Sequence, residues 1–93
     1  MLDIRFTKLA YERYRERALG DPLREQRSCD EIRGIIQRSL EGHRDYARLE
    51  KMTFRRCELR LGLLDSTDSS LGTCTLVLTR RPHSKQYEAT SVM

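Results

Sequence analysis

Apolar and polar residues alternate most cleanly just past the middle of the chain. Cys57, Leu59, Leu61 and Leu63 take every second position, with Glu58 and Arg60 between them. A period of two predicts a strand buried on one face. The polar run Asp65–Ser70 supplies turn formers, after which Cys74, Leu76 and Leu78 alternate with Thr73, Thr75 and Thr79. Two alternating runs about a turn cluster predict a β-hairpin within the stretch from Thr53 to Thr79.

The remaining elements follow in chain order. Leu2, Ile4 and Phe6 alternate with Asp3 and Arg5, which predicts a short first strand. Thr7 is placed to cap a helix over Lys8–Leu19. On that helix Ala10, Tyr14 and Ala18 share a face, with Tyr11 at its edge and Arg13 and Arg17 along the opposite border. Gly20 ends the helix and Pro22 prevents its continuation. Asp21–Arg27 is polar and reads as a loop. Ser28 and Glu31 form a capping box that opens a second helix, whose stripe is Ile32, Ile35, Ile36 and Leu40. Gly42 closes it. Asp45–Lys51 fits either a short strand or a loop. Arg80–Lys85 is a basic turn around Pro82, and Gln86–Met93 reads as a last strand.

Helices early and strands late predict an α+β fold. The N-terminal strand and two helices pack on one face of a mostly antiparallel sheet of three to five strands, in a single domain over residues 1–93. The stripe of the second helix is expected to rest on Cys57, Leu59, Leu61, Leu76 and Leu78. A chain of 93 residues buries only roughly 60–65% of its unfolded surface, so its core is thin.

Charge changes this picture more than composition does. The net charge is +4, and most of it comes from arginine. Guanidinium groups suit planar contacts to phosphate or carboxylate, so nucleic acid and an acidic protein surface are the partner classes that fit. Three cysteines without CxxC spacing, two of them on apolar strand faces, read as free buried thiols in a reducing compartment. Neither a metal site nor a cofactor is expected. No stretch approaches the roughly 20 apolar residues of a membrane span, and the expected location is cytoplasmic.

The helices can cover only one face of the sheet. The other is expected to show Arg56, Glu58, Arg60, Thr73, Thr75, Val77 and Thr79, with the basic turn at its rim. Such a surface can hold an RNA backbone. It also carries the residue types for metal-independent RNA cleavage, which needs a base for the 2′-hydroxyl, cations for the phosphate and an acid for the leaving oxygen. Glu58 fits the base, Arg56, Arg60 and Arg81 the cations, and His83 or Tyr87 the acid. Arg80 and Lys85, and Arg13 and Arg17 on the first helix, are further candidates for partner contact. The alternative is a solvated strand face with cross-strand pairing. His43, just past a helix-ending glycine, reads as a dipole partner.

The order of strand, two helices and then antiparallel strands resembles the RelE/barnase-like grouping of small ribonuclease toxins. Within it, Thr7, Lys8, Ala10, Arg13, Glu16 and Arg17 match an opening-helix motif of small toxin-like proteins, with Leu9 where that motif usually has His. The resemblance implies a ribonuclease toxin, or a catalytically weakened relative, that acts on RNA or the ribosome and is held by an acidic antitoxin. Against it stands a non-enzymatic phage or mobile-element protein that inhibits a host nucleic-acid machine, of the anti-CRISPR or polymerase-inhibitor kind. A homodimer through a sheet edge is compatible with either.

Overall fold

The computed structural model describes residues 3–51 and 55–93. Leu2, expected in the first strand, and Thr53, the expected start of the hairpin stretch, lie outside them. The elements are β1 (Ile4–Phe6), α1 (Lys8–Arg17), a 3-10 turn (Arg24–Gln26), α2 (Cys29–Glu41), α3 (Tyr46–Lys51), β2 (Arg56–Leu64), β3 (Ser70–Arg80) and β4 (Tyr87–Val92). The strands form one mixed sheet in the order β1-β4-β3-β2. β1 runs parallel to β4, while β4–β3 and β3–β2 are antiparallel. The last strand therefore lies inside the sheet, and β2 and β1 are its edges.

Local chemistry explains most helix limits. The Thr7 hydroxyl accepts the Ala10 N–H and also donates to the Ala89 carbonyl at 3.1 Å, so the cap of α1 is tied to β4. At the other end of the helix, Arg17 Nη1 donates to the Val92 carbonyl at 3.0 Å. α1 stops at Arg17, shorter than the expected Leu19, with Ala18 as its C-cap. α2 begins with the complete Ser28–Glu31 capping box and ends at Gly42, as its sequence predicts. The segment Asp45–Lys51 is neither strand nor loop. It contains the helix α3, whose Leu49 is buried in the core.

The core is continuous. Ile32, Ile35, Ile36 and Leu40 of α2 join Leu59, Leu61, Leu63, Leu76 and Leu78 of the hairpin, with Tyr14, Ala18, Tyr87, Ala89 and Val92 from the β4 side. Cys57 packs against this cluster half-buried, and Cys74 is inside it. Leu71 is also inside, although its odd number puts it out of phase with Cys74, Leu76 and Leu78. A register shift explains this: Gly62 pairs with Thr73, but Leu64 pairs with Ser70. One extra β3 residue flips the side-chain alternation, as a bulge does. Gly72 sits there at φ +79°, and its Cα lies 2.8 Å from where a Cβ on Gly20 would stand. Both glycines are needed for the loop after α1 to lie against the bulge.

That loop is not the solvated segment its polarity suggests. Asp21 is fully buried and accepts four hydrogen bonds. The Tyr14 hydroxyl (2.7 Å) and Arg27 Nε (2.9 Å) donate to Oδ2, and Arg27 Nη2 (3.1 Å) and the Leu23 N–H (3.0 Å) donate to Oδ1. Burial alone would push this carboxyl up, but the donors outweigh it and hold it below the usual range. Tyr14 is driven far above its ordinary value by burial and by its bond to Asp21. Charge satisfied in this way stands in for apolar packing where α1, the loop and α2 meet.

Candidate anion-binding flank

The outer face of the sheet is fixed by register. Arg56 pairs with Thr79, Glu58 with Val77, Arg60 with Thr75 and Gly62 with Thr73. These residues alternate with those of the core, so they share the face away from the helices, but Val77, expected to be exposed there, is buried at 1% exposure. Arg56 Nη2 donates to Glu58 Oε1 at 2.8 Å, with both side chains largely exposed. Arg60 Nη2 reaches the Thr73 hydroxyl at 3.4 Å. Arg81, His83 and Lys85 are exposed in the turn between β3 and β4, where His83 takes φ +66°.

Tyr87 and Arg80 lie on the other side. Arg80 is in phase with Leu76 and Leu78, and its guanidinium stands 5.4 Å from the Tyr87 ring centroid. Arg80 Nε donates to the Ser84 carbonyl at 2.6 Å and Nη1 to the Tyr87 hydroxyl at 3.3 Å. That hydroxyl donates to the Leu49 carbonyl at 3.3 Å, and Tyr87 is 4% exposed. The two residues hold the turn and α3 in place. Glu58 and Tyr87 therefore face opposite sides of the sheet and cannot serve one ribose as base and acid. Arg13 is paired with Glu16 at 2.8 Å, and Arg17 is spent on Val92, so the opening-helix residues also have structural tasks.

Cations collect beside β2. Residues 38–60 hold seven Lys and Arg against four Asp and Glu, and residues 80–85 hold three against none. That local balance of +6 exceeds the +4 of the whole chain, so the rest is net acidic. The turn and the start of β2 are adjacent, because the Arg80 N–H donates to the Arg55 carbonyl at 3.0 Å. Arg44, Arg48, Lys51, Arg55, Arg81 and Lys85 have no ion-pair partner among the described residues.

A groove of about 540 Å³ opens at the other end of β2, lined by Ser39, Gly42, His43, Arg44, Arg60, Gly62, Leu64 and Thr73. No carboxylate lines it. His43 Nδ1 accepts the Asp45 N–H at 3.2 Å, so the neutral ring carries its proton on Nε2, available as a donor. His43 thus orders the turn after α2 in addition to standing at that helix's C-terminal end. Sequence reading passed over Arg44, Arg48 and Arg55. The signal was the excess of Arg through residues 38–60, hidden by the unresolved identity of Asp45–Lys51.

No family model, no curated protein and no solved structure matches this chain. Among the described residues, no helix is long and apolar enough to cross a membrane.

Proposed function

We propose that the protein binds the phosphate backbone of RNA along the basic flank formed by the start of β2 and the turn between β3 and β4. The observation that carries this reading is a group of cations without an ion-pair partner among the described residues: Arg55, Arg81 and Lys85 lie where the turn meets the start of β2, and Arg48 and Lys51 stand on the preceding helix α3. Free guanidinium and ammonium groups in such a cluster release counterions from a polyanion. The outer-face threonines Thr73, Thr75 and Thr79 offer hydroxyls to ribose. The resemblance of Thr7–Arg17 to the small ribonuclease toxins points to the same ligand. Binding rather than cleavage is the better reading, because Tyr87 is withdrawn to the helix side, and His83 is then the acid left to a cleavage centre on Glu58.

Fluorescence anisotropy with a labelled single-stranded RNA, repeated across salt concentrations, tests the proposal. Affinity should fall steeply with salt, with a slope of about 0.7 per phosphate contacted. Arg55→Ala combined with Arg81→Ala should flatten that slope by about 1.4, while Arg13→Ala should leave it unchanged. No binding, or an unchanged slope in the double variant with its fold intact by circular dichroism, would move the function elsewhere.

A further inference from the structure

The outer edge of β2 is an open hydrogen-bonding strand. The Arg80-to-Arg55 bond fixes the phase of the β2–β3 ladder. By alternation, Cys57, Leu59 and Leu61 exchange bonds with Leu78, Leu76 and Cys74. The phase agrees on the far side of β3, where Thr75 and Met93 exchange bonds at 3.0 and 2.8 Å. The N–H and C=O groups of Arg56, Glu58, Arg60 and Gly62 therefore point away from the sheet. They have no partner among the described residues. Among the described residues the edge is closed at its end, where the Ser39 hydroxyl accepts the Leu64 N–H at 2.9 Å.

We propose that this edge pairs antiparallel with the same edge of a second copy, about a twofold axis at Leu59. Charge selects the register. Centred on Glu58, the pairing sets Glu58 against Glu58 and Arg56 against Arg60. Centred on Arg60, it sets Arg60 against Arg60. Centred on Cys57, it uses only Arg56 and Glu58 of the four outward residues. Centred on Leu59, it engages all four: Glu58 faces Arg60 of the second copy twice, and Arg56 faces Gly62 twice. Opposite charges directly across a ladder attract, and like charges repel.

The helix side agrees with this axis. Leu59 meets Leu59 of the second copy at a non-hydrogen-bonded position, where side chains come closest. It borders a groove of about 170 Å³ lined by Asp45, Arg48, Leu49 and Cys57. The twofold brings that groove to its own copy, so the acid and base that line it meet a complementary pair. The inference is independent of RNA binding, since it uses the backbone edge and the Glu58–Arg60 pattern rather than the turn.

Sedimentation equilibrium over a range of concentrations reads the outcome. The protein should show a monomer–dimer equilibrium. Glu58→Arg alone and Arg60→Glu alone should each weaken it by about tenfold, since two symmetric attractions become repulsions. The two changes together should restore it to within a few-fold. Gly62→Pro removes one outward N–H at a position where an added Cβ meets no atom within 4 Å, so it should abolish the dimer and leave the monomer folded. A monomer at every concentration, or single and double reversals that behave alike, would overturn the proposal.

Discussion

Asp21→Asn isolates the buried charge beneath the loop after α1. The change keeps the side chain's shape and converts one acceptor oxygen into a donor nitrogen. Each oxygen receives one bond from Arg27, so one Arg27 bond is lost whichever way the amide is turned. With the nitrogen at the Oδ1 position the Leu23 N–H loses its acceptor as well, whereas at the Oδ2 position the Tyr14 hydroxyl keeps its bond by accepting from the amide. Arg27, only 14% exposed in its side chain, then keeps a single charged neighbour, Glu31 at 3.5 Å. Removing one member of a buried pair costs about 3–5 kcal/mol, and the remaining contact to Glu31 argues for about 3. With a urea dependence of about 1 kcal/mol/M for a chain of this size, the midpoint should fall by about 3 M at pH 7. The pH dependence has a definite sign. Asp21 is held below its ordinary value in the fold, so its contribution is complete above the unfolded value, near pH 4, and is lost as pH falls through the folded value. Urea curves at pH 7 and pH 3 should show the gap between wild type and variant narrowing on acidification. A midpoint within about 0.5 M of wild type at pH 7, or a gap that widens at pH 3, would refute the reasoning.

Two further outcomes follow from the core. Leu61→Ala removes a fully buried side chain that packs with the α2 stripe and should cost about 2–5 kcal/mol, read as a lowered thermal midpoint; an unchanged midpoint would mean the site is not packed as described. The Cys74 thiol is pushed up to about 11 by burial, whereas Cys29 is exposed on the first turn of α2. At pH 8 a thiol reagent should therefore label Cys29 quickly in the folded protein and Cys74 only as fast as the chain unfolds. Equal rates would contradict the burial of Cys74.

Legibility in the sequence followed locality. α2 was readable at both ends because its capping box, its apolar stripe and its terminal glycine all lie within fifteen positions, Ser28 to Gly42. α3 was not, because its six residues offer one buried leucine. Its place depends on contacts from afar, such as the Tyr87 hydroxyl on the Leu49 carbonyl. Asp21 looked like loop polarity because its partners, Tyr14 and Arg27, stand seven and six residues away in chain segments whose approach only the fold decides. Leu71 was hidden by the bulge, which breaks the parity that placed its neighbours. For the candidate site, the outer-face row from Arg56 to Gly62 could be read directly from alternation. The inward turn of Arg80 and Tyr87 was also present in the sequence. The parity that sends Leu76 and Leu78 to the core sends Arg80 there too, and Tyr87 stands in phase with Ala89.

The strand that carries the candidate flank also carries the open edge, and its charges act on both. A long unpaired edge invites indiscriminate pairing, and charged side chains are a common defence. An unbroken row of arginines would repel every copy. The Arg–Glu–Arg sequence at 56, 58 and 60 instead repels in the registers centred on Glu58 and Arg60, and attracts in the one centred on Leu59. In that register the two Arg56 residues lie six positions apart along the junction, about 20 Å at 3.4 Å per residue. The two basic turns then stand at opposite ends of one continuous outer face rather than against each other. Two phosphate-binding ends on one rigid sheet would act on the same RNA strand with an effective concentration that neither has alone. The two proposals fail separately: loss of Arg55 and Arg81 flattens the salt dependence in a dimer that still forms, whereas Gly62→Pro abolishes the dimer and leaves each copy's phosphate contacts intact.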